Sequence, residues 1–346
     1  MPTTLQAHQN YLKSQKPYCI DLLNRGLRDV RISLIDQCNF FCPHCKPGKQ
    51  SESLRQKHSQ LEFNQIIKLA KIFIKLGVKK IRLTGGEPLL RDRLPELISK
   101  LKDIGVADLA LTTNGYFLSN YIYQLKKNGL DRITVSLNAL DENIFKKMTG
   151  GHGTPKKTLQ GIQACEKNGF LSVKINVLVK KGINENQIIP IATHFRETRH
   201  IVRFIEYMDV GTENNWSEKD VVTSNSILKK INKIFPLVPL NRNYPSEVAS
   251  RYIYKDGKGE VGFISSISQP FCQDCQRLRL SSDGKLYTCL FAENSFDLKE
   301  HLHKNDSELS KIIQNIWKKR EDQYSEMRFC ANNNGRNKIE MYKIGG

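Results

Sequence analysis

Asp36-Gln37-Cys38-Asn39-Phe40-Phe41-Cys42-Pro43-His44-Cys45 follows directly on a β-rich run, Val30 to Ile35. Three thiols at C-x3-C-x2-C spacing can converge on one metal site from a single short loop. A structural zinc site asks for four protein ligands, whereas a [4Fe–4S] cluster held by three cysteines keeps one iron open for a substrate or cofactor. His44 could instead complete a zinc tetrahedron, and His58 lies within reach in sequence. Cys272, Cys275 and Cys289 form a second set, again three thiols without an obvious fourth ligand. The other three of the nine cysteines, Cys19, Cys165 and Cys330, follow no such spacing. Cys165 reads as an ordinary core residue on a helix.

Working outward from that loop, short β-rich runs recur at Val30 to Ile35, Lys80 to Leu83, Asp108 to Thr112, Arg132 to Ser136, Val173 to Val179 and Ile201 to Ile205. Between them lie apolar residues at helical spacing, among them Phe63, Ile66, Ile67, Ala70, Phe73 and Ile74. Alternating strand and helix predicts an α/β fold, with parallel strands joined by helical crossovers into an open or partial barrel. Polar or glycine-rich clusters end the strands: Asp36 to Cys45, Thr84 to Pro88, Thr112 to Gly115, Ser136 to Asn138. Chemistry collects at the carboxyl ends of strands in such folds, so these clusters are expected at one mouth. Past residue 238 the pattern changes to Pro239, Pro245, a hairpin-like Tyr252 to Asp256 and the second cysteine set. Three units are expected: an arm over 1–24, a barrel over 25–238 and a smaller domain over 239–346.

Charge and composition narrow the partners. The 346 residues carry 54 Lys+Arg against 35 Asp+Glu, a formal charge of +19, and 39% are hydrophobic. The start MPTTLQAHQN lacks a charged segment followed by an apolar run, and the stretch Ile66 to Leu76, broken by lysines, falls short of the ~20 residues a membrane span needs. A cytoplasmic protein with reduced or metal-bound thiols is expected, with no membrane partner. Excess positive charge suits an anion: nucleic acid, a membrane surface or a small polyphosphate. A basic zinc protein that binds nucleic acid would gather its cations into a patch with interleaved aromatics. Here Lys71, Lys75, Lys126, Lys127, Lys156 and Lys157 are spread over helix surfaces, so nucleic acid is not expected.

C-x3-C-x2-C after the first strand of a βα barrel resembles the radical S-adenosylmethionine enzymes. Further motifs are Arg82-Leu-Thr-Gly-Gly-Glu-Pro88, Thr112-Thr-Asn-Gly115, Val135-Ser-Leu137, Val173-Lys-Ile-Asn176, Arg203-Phe-Ile-Glu-Tyr-Met208, Cys272-x2-Cys275-Gln-Arg277-Leu-Arg279 and the diglycine end. Over about residues 30 to 346 the chain resembles the GTP 3′,8-cyclase family of molybdenum cofactor biosynthesis. A peptide-modifying radical enzyme would bring a peptide-recognition module and a larger C-terminal cysteine set, and neither is evident.

The resemblance implies a partial (β/α)6 barrel of the TIM type with a C-terminal domain carrying a second iron–sulfur cluster. It implies two [4Fe–4S] clusters, on Cys38, Cys42 and Cys45 and on Cys272, Cys275 and Cys289. S-adenosylmethionine would meet Gly86, Ser136, Met208 and His44, and GTP would meet Arg31, Arg82, Thr113, Lys174, Arg277 and Arg279. Arg31, Arg277, Arg279, Gly345 and Gly346 would serve catalysis, the glycines by threading a side-chain-free tail into a crowded site. The expected product is 3′,8-cyclised GTP. Flavodoxin or ferredoxin would donate the electron, cyclic pyranopterin monophosphate synthase would take the product, and a homodimer is compatible with the family. Taken singly, Gly85-Gly86 is a tight turn, the diglycine end a frayed terminus, Ser136 a strand-end hydrogen bonder, Met208 a core filler and each cation a solvated surface group. The chain departs from the family pattern at Gln37 (arginine is usual), His44 (tyrosine), Lys46 (methionine) and Asn138 (an acid).

Overall fold

The computed structural model describes residues 19–46, 60–329 and 338–345. His58, Cys330 and Gly346 lie outside the described residues. Six strands, β1 (Asp29–Ser33), β2 (Lys80–Thr84), β3 (Asp108–Thr113), β4 (Arg132–Ser136), β5 (Lys174–Val179) and β6 (Ile201–Glu206), pair in chain order, every pair parallel. Parallel neighbours cannot be joined by hairpins, so each connection carries helix. These are α1 (Phe63–Lys75), α2 (Leu94–Asp103), α3 (Leu118–Lys127), α4 (Glu142–Thr149) with α5 (Pro155–Lys167), and α6 (Ile188–Arg196). In α1 the buried residues Ile66, Leu69, Ala70, Ile72 and Phe73 form one stripe, while Lys71 and Lys75 stay exposed. At its start the Gln65 side chain accepts the Glu62 N–H at 2.8 Å, satisfying an otherwise free donor.

Within the strands, residue type alternates. Val30 and Ile32, Ile81 and Leu83, Leu109 and Leu111, Ile133 and Val135, and Ile175 and Val177 all belong to the apolar core shared with the helices. On the alternate positions Arg31, Arg82, Thr112, Ser136, Lys174 and Asn176 line the lumen. Fully burying each large aliphatic on the outer face contributes about 1.5–3 kcal/mol, so that layer holds the barrel together and leaves the inner face free for function.

Beyond residue 236 the strands among the described residues all join the same sheet. Antiparallel strands β7 (Leu237–Leu240), β8 (Ser250–Tyr254) and β9 (Glu260–Ile264) bring β9 parallel onto β6. Strand β10 (Arg277–Leu280) lies parallel on β1, with β11 (Lys285–Tyr287) and β12 (Phe296–Asp297) outside it. One open sheet of twelve strands results, β12-β11-β10-β1-β2-β3-β4-β5-β6-β9-β8-β7, and its curved middle is the partial barrel. Among the described residues no helix is long and apolar enough to cross a membrane.

Residues 19–24, assigned to the arm in the sequence reading, are anchored. Asp21 is buried and accepts from the Arg25 Nε at 2.6 Å and from Arg320 Nη1 at 3.2 Å. Those two arginines then reach the second cysteine set: Arg25 Nη1 donates to the Cys272 carbonyl at 2.8 Å and Arg320 Nη1 to the Cys275 carbonyl at 2.7 Å. Removing one member of a buried ion network strands the rest, so Asp21→Ala is expected to lower stability by about 3–5 kcal/mol. Thermal unfolding of the anaerobically purified variant measures this; a change under 1 kcal/mol would refute the hub.

Candidate active site

Strand direction alone separates the two cysteine sets. Cys38, Cys42 and Cys45 follow the carboxyl end of β1, whereas Cys272 and Cys275 precede the amino end of β10, which runs parallel to β1 with Asp29 opposite Arg277. Cys289 follows β11, antiparallel to β10, and so returns to the same end as Cys275. The sets stand at opposite ends of the barrel, with β1, roughly 16 Å long, between their anchor points. All six thiols nonetheless line one cavity.

Backbone contacts fix the first loop. Gly86 N–H donates to the Ile35 carbonyl at 2.7 Å and Glu87 N–H to the Gln37 carbonyl at 2.8 Å. A Cβ on Gly86 would collide with the Gln37 carbonyl, so this glycine is required by backbone packing under the cysteine loop as well as by its place on the cavity. On the other flank a Cβ at Gly150 (φ 68°) would strike the Phe41 carbonyl. Glu87 is wholly buried and was not singled out from sequence. It accepts from Thr113 Oγ1 at 2.7 Å, Asn114 N at 2.8 Å and Leu89 N at 3.0 Å, and Asn114 Nδ2 in turn reaches Asn39 Oδ1 at 2.8 Å and Cys38 Sγ at 3.9 Å. Burial pushes the Glu87 carboxyl up to about 7, against these hydrogen bonds, which favour its ionised form. The Thr113 hydroxyl is therefore committed to Glu87, although the residue lines the cavity.

Charge sets Cys275 apart, whereas burial, then Asp322, raises Cys289 of the same set to about 12. Burial, reinforced by neighbouring acidic groups and thiols, raises Cys38 to about 11 and Cys45 to about 12. Against burial, the Arg277 and Arg320 guanidiniums pull the Cys275 thiol down to about 6, and Arg320 Nη2 donates to its sulfur at 3.3 Å. Among the described residues no group of His, Cys, Asp and Glu gathers to hold a metal ion. A cubane cluster asks instead for thiols set around a hollow, and three soft donors at each end of one cavity fit that requirement.

Between the thiol sets lies a belt of cations. Arg31 stands beside Arg279 on β10 and beside Arg82 on β2, in direct register with both. Lys80, Lys174, Arg203 and Arg277 line the same cavity, together with the acids Asp29 and Asp322. Lys80 pairs with Asp29 at 2.7 Å. Arg82 Nη1 donates to Thr112 and Thr134 hydroxyls at 3.0 and 3.1 Å, and Arg203 binds the Asn176 Oδ1 through Nε and Nη2 at 3.0 and 2.7 Å. The Arg31 Nε is buried without a hydrogen-bond partner. Burial, then Arg279, Arg277 and Arg82, lower the Arg31 pKa well below its ordinary value, and burial with Arg203 does the same to Lys174.

The remaining expected residues sort by height. Ser136 ends β4 and Met208 lies two residues past β6, both on the cavity at the end of the first cysteine loop, together with Gly86 and His44. Burial, then Lys180, lowers His44 to about 4, so its ring is neutral at physiological pH. Asn138, where an acid was expected, accepts the Leu178 N–H at 2.9 Å and serves the backbone. The segment 338–345 runs along the lumen: Met341 lines the cavity, Ile344 is buried, and the Gly345 carbonyl accepts from Arg279 Nη1. Gly345 has φ 71°, and a Cβ there would overlap the Thr84 side chain. Lys80, Asn176 and Arg203 were given no role from the sequence, although Asn176 and Arg203 delimit two of its motifs. The period-2 polar alternation of their strands was the signal that could have found them.

Because Glu87 binds its proton more tightly folded than unfolded, its contribution to stability is full below pH 4.5 and lost as pH rises through about 7. Glu87→Gln is expected to abolish that slope and, by presenting an NH2 where a backbone N–H needs an acceptor, to lower iron content at the first loop. Denaturation at stepped pH and iron analysis test both; an unchanged slope would sink the assignment.

Residues 32–195 match the Radical SAM superfamily and residues 200–326 match Molybdenum Cofactor Synthesis C. A GTP 3′,8-cyclase of Xanthomonas campestris pv. campestris is 47% identical over 329 residues, covering 94% of this chain and 97% of the relative. One from Acidothermus cellulolyticus is 43% identical over 356 residues, covering 94% and 98%. In fold, the chain is similar to Streptococcus suis SuiB bound to S-adenosylmethionine, with a TM-score of 0.61, 12% identity, and 92% of this chain and 72% of that one covered. By its two matched regions and these relatives, the chain belongs to the GTP 3′,8-cyclase family of radical S-adenosylmethionine proteins.

Proposed function

We propose that this chain converts GTP to (8S)-3′,8-cyclo-7,8-dihydroguanosine 5′-triphosphate, the first step of molybdenum cofactor biosynthesis, in the cavity between its two thiol sets. The observation that carries the reading is the unneutralised cationic belt, Arg31, Arg82, Lys174 and Arg279, lying between those sets. Arginine forks and a lysine ammonium suit phosphate oxygens, and several on separate rigid strands fix a polyphosphate in one pose.

Cys38, Cys42 and Cys45 would hold the first [4Fe–4S] cluster, with S-adenosylmethionine against Gly86, Ser136, Met208 and His44. When bound, that pair supplies the low-potential electron and the 5′-deoxyadenosyl radical that takes a hydrogen atom from substrate. The protein's own work is placement. Arg31, Arg82 and Lys174 seat the triphosphate, with Lys80 and Arg203 beside them in the same belt. Arg277 and Arg279, alternate residues of β10, face the lumen between Cys275 and the tail. Cys272, Cys275 and Cys289 would hold a second [4Fe–4S] cluster against the guanine, so that the ribose points toward the first set and C3′ and C8 of one nucleotide are held in reacting geometry. The apolar layer outside the sheet and the segment 338–345 restrict water in the lumen. A flavodoxin or ferredoxin would supply the electron, and cyclic pyranopterin monophosphate synthase would consume the product.

Two measurements test this. With anaerobically reconstituted protein, reductant and GTP deuterated at C3′, deuterium is expected in the 5′-deoxyadenosine; undeuterated deoxyadenosine would leave the radical chemistry but overturn the substrate or site. Lys174→Ala removes one charged phosphate contact and is expected to raise the KM for GTP about 10–100-fold, with the affinity for S-adenosylmethionine unchanged.

A further inference from the structure

Lys46, immediately after Cys45, is the departure from the family pattern that the structure makes most conspicuous. Lysine is almost never fully buried unless paired, yet Lys46 is 7% exposed. Among the described residues it has no salt bridge. Its ammonium donates one long hydrogen bond, 3.4 Å, to the Asp36 carbonyl. Two aromatic faces surround it instead: Nζ lies 5.6 Å from the centre of the Phe41 ring and 4.9 Å from that of Tyr342. Phe41 belongs to the first cysteine loop, between Cys38 and Cys42; Tyr342 belongs to the helical turn Met341–Ile344 of the tail segment.

That segment is also attached on either side of Tyr342. Upstream, Lys338 pairs with Asp209 at 2.7 Å and the Glu340 carboxylate accepts the Thr212 N–H at 2.7 Å, tying it to the loop after β6. Downstream, the Gly345 carbonyl accepts from Arg279. Tyr342 lies between these anchors; its ring meets Lys46 of the cysteine loop at 4.9 Å and, farther off, its neighbour Lys343 at 5.9 Å. A cation over a ring face is attracted by the ring quadrupole, most strongly where water is excluded. Methionine there would keep the contact and lose the charge, whereas arginine would keep the charge and could stack.

We infer that Lys46 is a positioning residue: held between Phe41 and Tyr342, its ammonium latches the segment 341–345 onto the first cysteine loop and thereby sets the Gly345 carbonyl against Arg279. The inference deepens the proposed function and rests on its reading that Arg279 and the tail face GTP. Lys46 touches neither reacting atom; it acts through Tyr342, Gly345 and Arg279 in turn.

The test uses the full chain with reconstituted iron and follows amide hydrogen exchange in peptides covering 341–345. Lys46→Met is expected to speed that exchange about tenfold, Lys46→Arg and Tyr342→Phe to stay within about twofold of the parent, and Tyr342→Ala to match Lys46→Met. Combining Lys46→Met with Tyr342→Ala should add nothing further, since both remove one contact. In turnover with GTP, the ratio of 5′-deoxyadenosine to cyclised product is expected to rise in Lys46→Met and return to the parent value in Lys46→Arg. Should Lys46→Met lose iron, Tyr342→Ala, which alters no residue of the cysteine loop, carries the test alone. Unchanged exchange at 341–345 in either variant, or failure of arginine to rescue, overturns the latch. If Lys46→Met frees the segment but deleting residues 345–346 leaves cyclisation intact, the latch stands and the catalytic role of the tail falls.

Discussion

The lumen of this barrel holds more positive charge than its own acids neutralise, and much of the structure follows from that. Arg31, Arg82, Lys174, Arg203, Arg277 and Arg279 line it, with Asp29 beside Lys80 as counter-charge. Like charges kept from water repel across a medium that screens them poorly. Burial first, and that repulsion added to it, lower the proton affinities of Arg31, Lys174 and Arg203. Such a lumen persists because rigid parallel strands, fastened by the apolar layer outside them, fix where each guanidinium stands. An anion with several charges relieves the repulsion and completes hydrogen bonding at groups such as the Arg31 Nε.

Each thiol set is organised by a buried carboxylate, and the two carboxylates work through different intermediaries. Glu87 holds backbone N–H groups and the Thr113 hydroxyl, which place Asn114 against the first loop. Asp21 holds two arginines, which grip the carbonyls of Cys272 and Cys275. The first set therefore sits among amides and neighbouring thiols, while in the second the guanidiniums reach Cys272 and Cys275. Two sets of three thiols are thus held by different partners, drawn from residues far away in sequence.

Much of the fold was legible in local pattern. The β-rich runs at residues 80–83, 108–112, 132–136 and 201–205 lie within the observed strands, and the first run, 30–35, overshoots β1 by two residues. Spacing drew attention to the six cysteines, because closely repeated reactive residues stand out in a linear text, and the family resemblance they opened pointed to the arginines of β1, β2 and β10. Asp21 and Glu87 did not stand out. A buried carboxylate looks like any surface acid until its donors are known, and its donors come from Arg320 in one case and Asn114 in the other. The pairing of β10 with β1 was equally illegible, since it joins residues nearly 250 positions apart and no local periodicity records it.

That pairing has a bearing on how the molecule can be assembled. Strands β1 and β6 would each expose a full row of unpaired backbone donors and acceptors if the chain stopped after α6 and β6; β10 and β9 cover those rows. The two covering strands are joined by residues 265–276, the stretch that carries Cys272 and Cys275. A truncated barrel would thus present two sticky edges of the kind that drive strand-to-strand aggregation. The region that supplies the second thiol set is, in folding terms, the hem of the first.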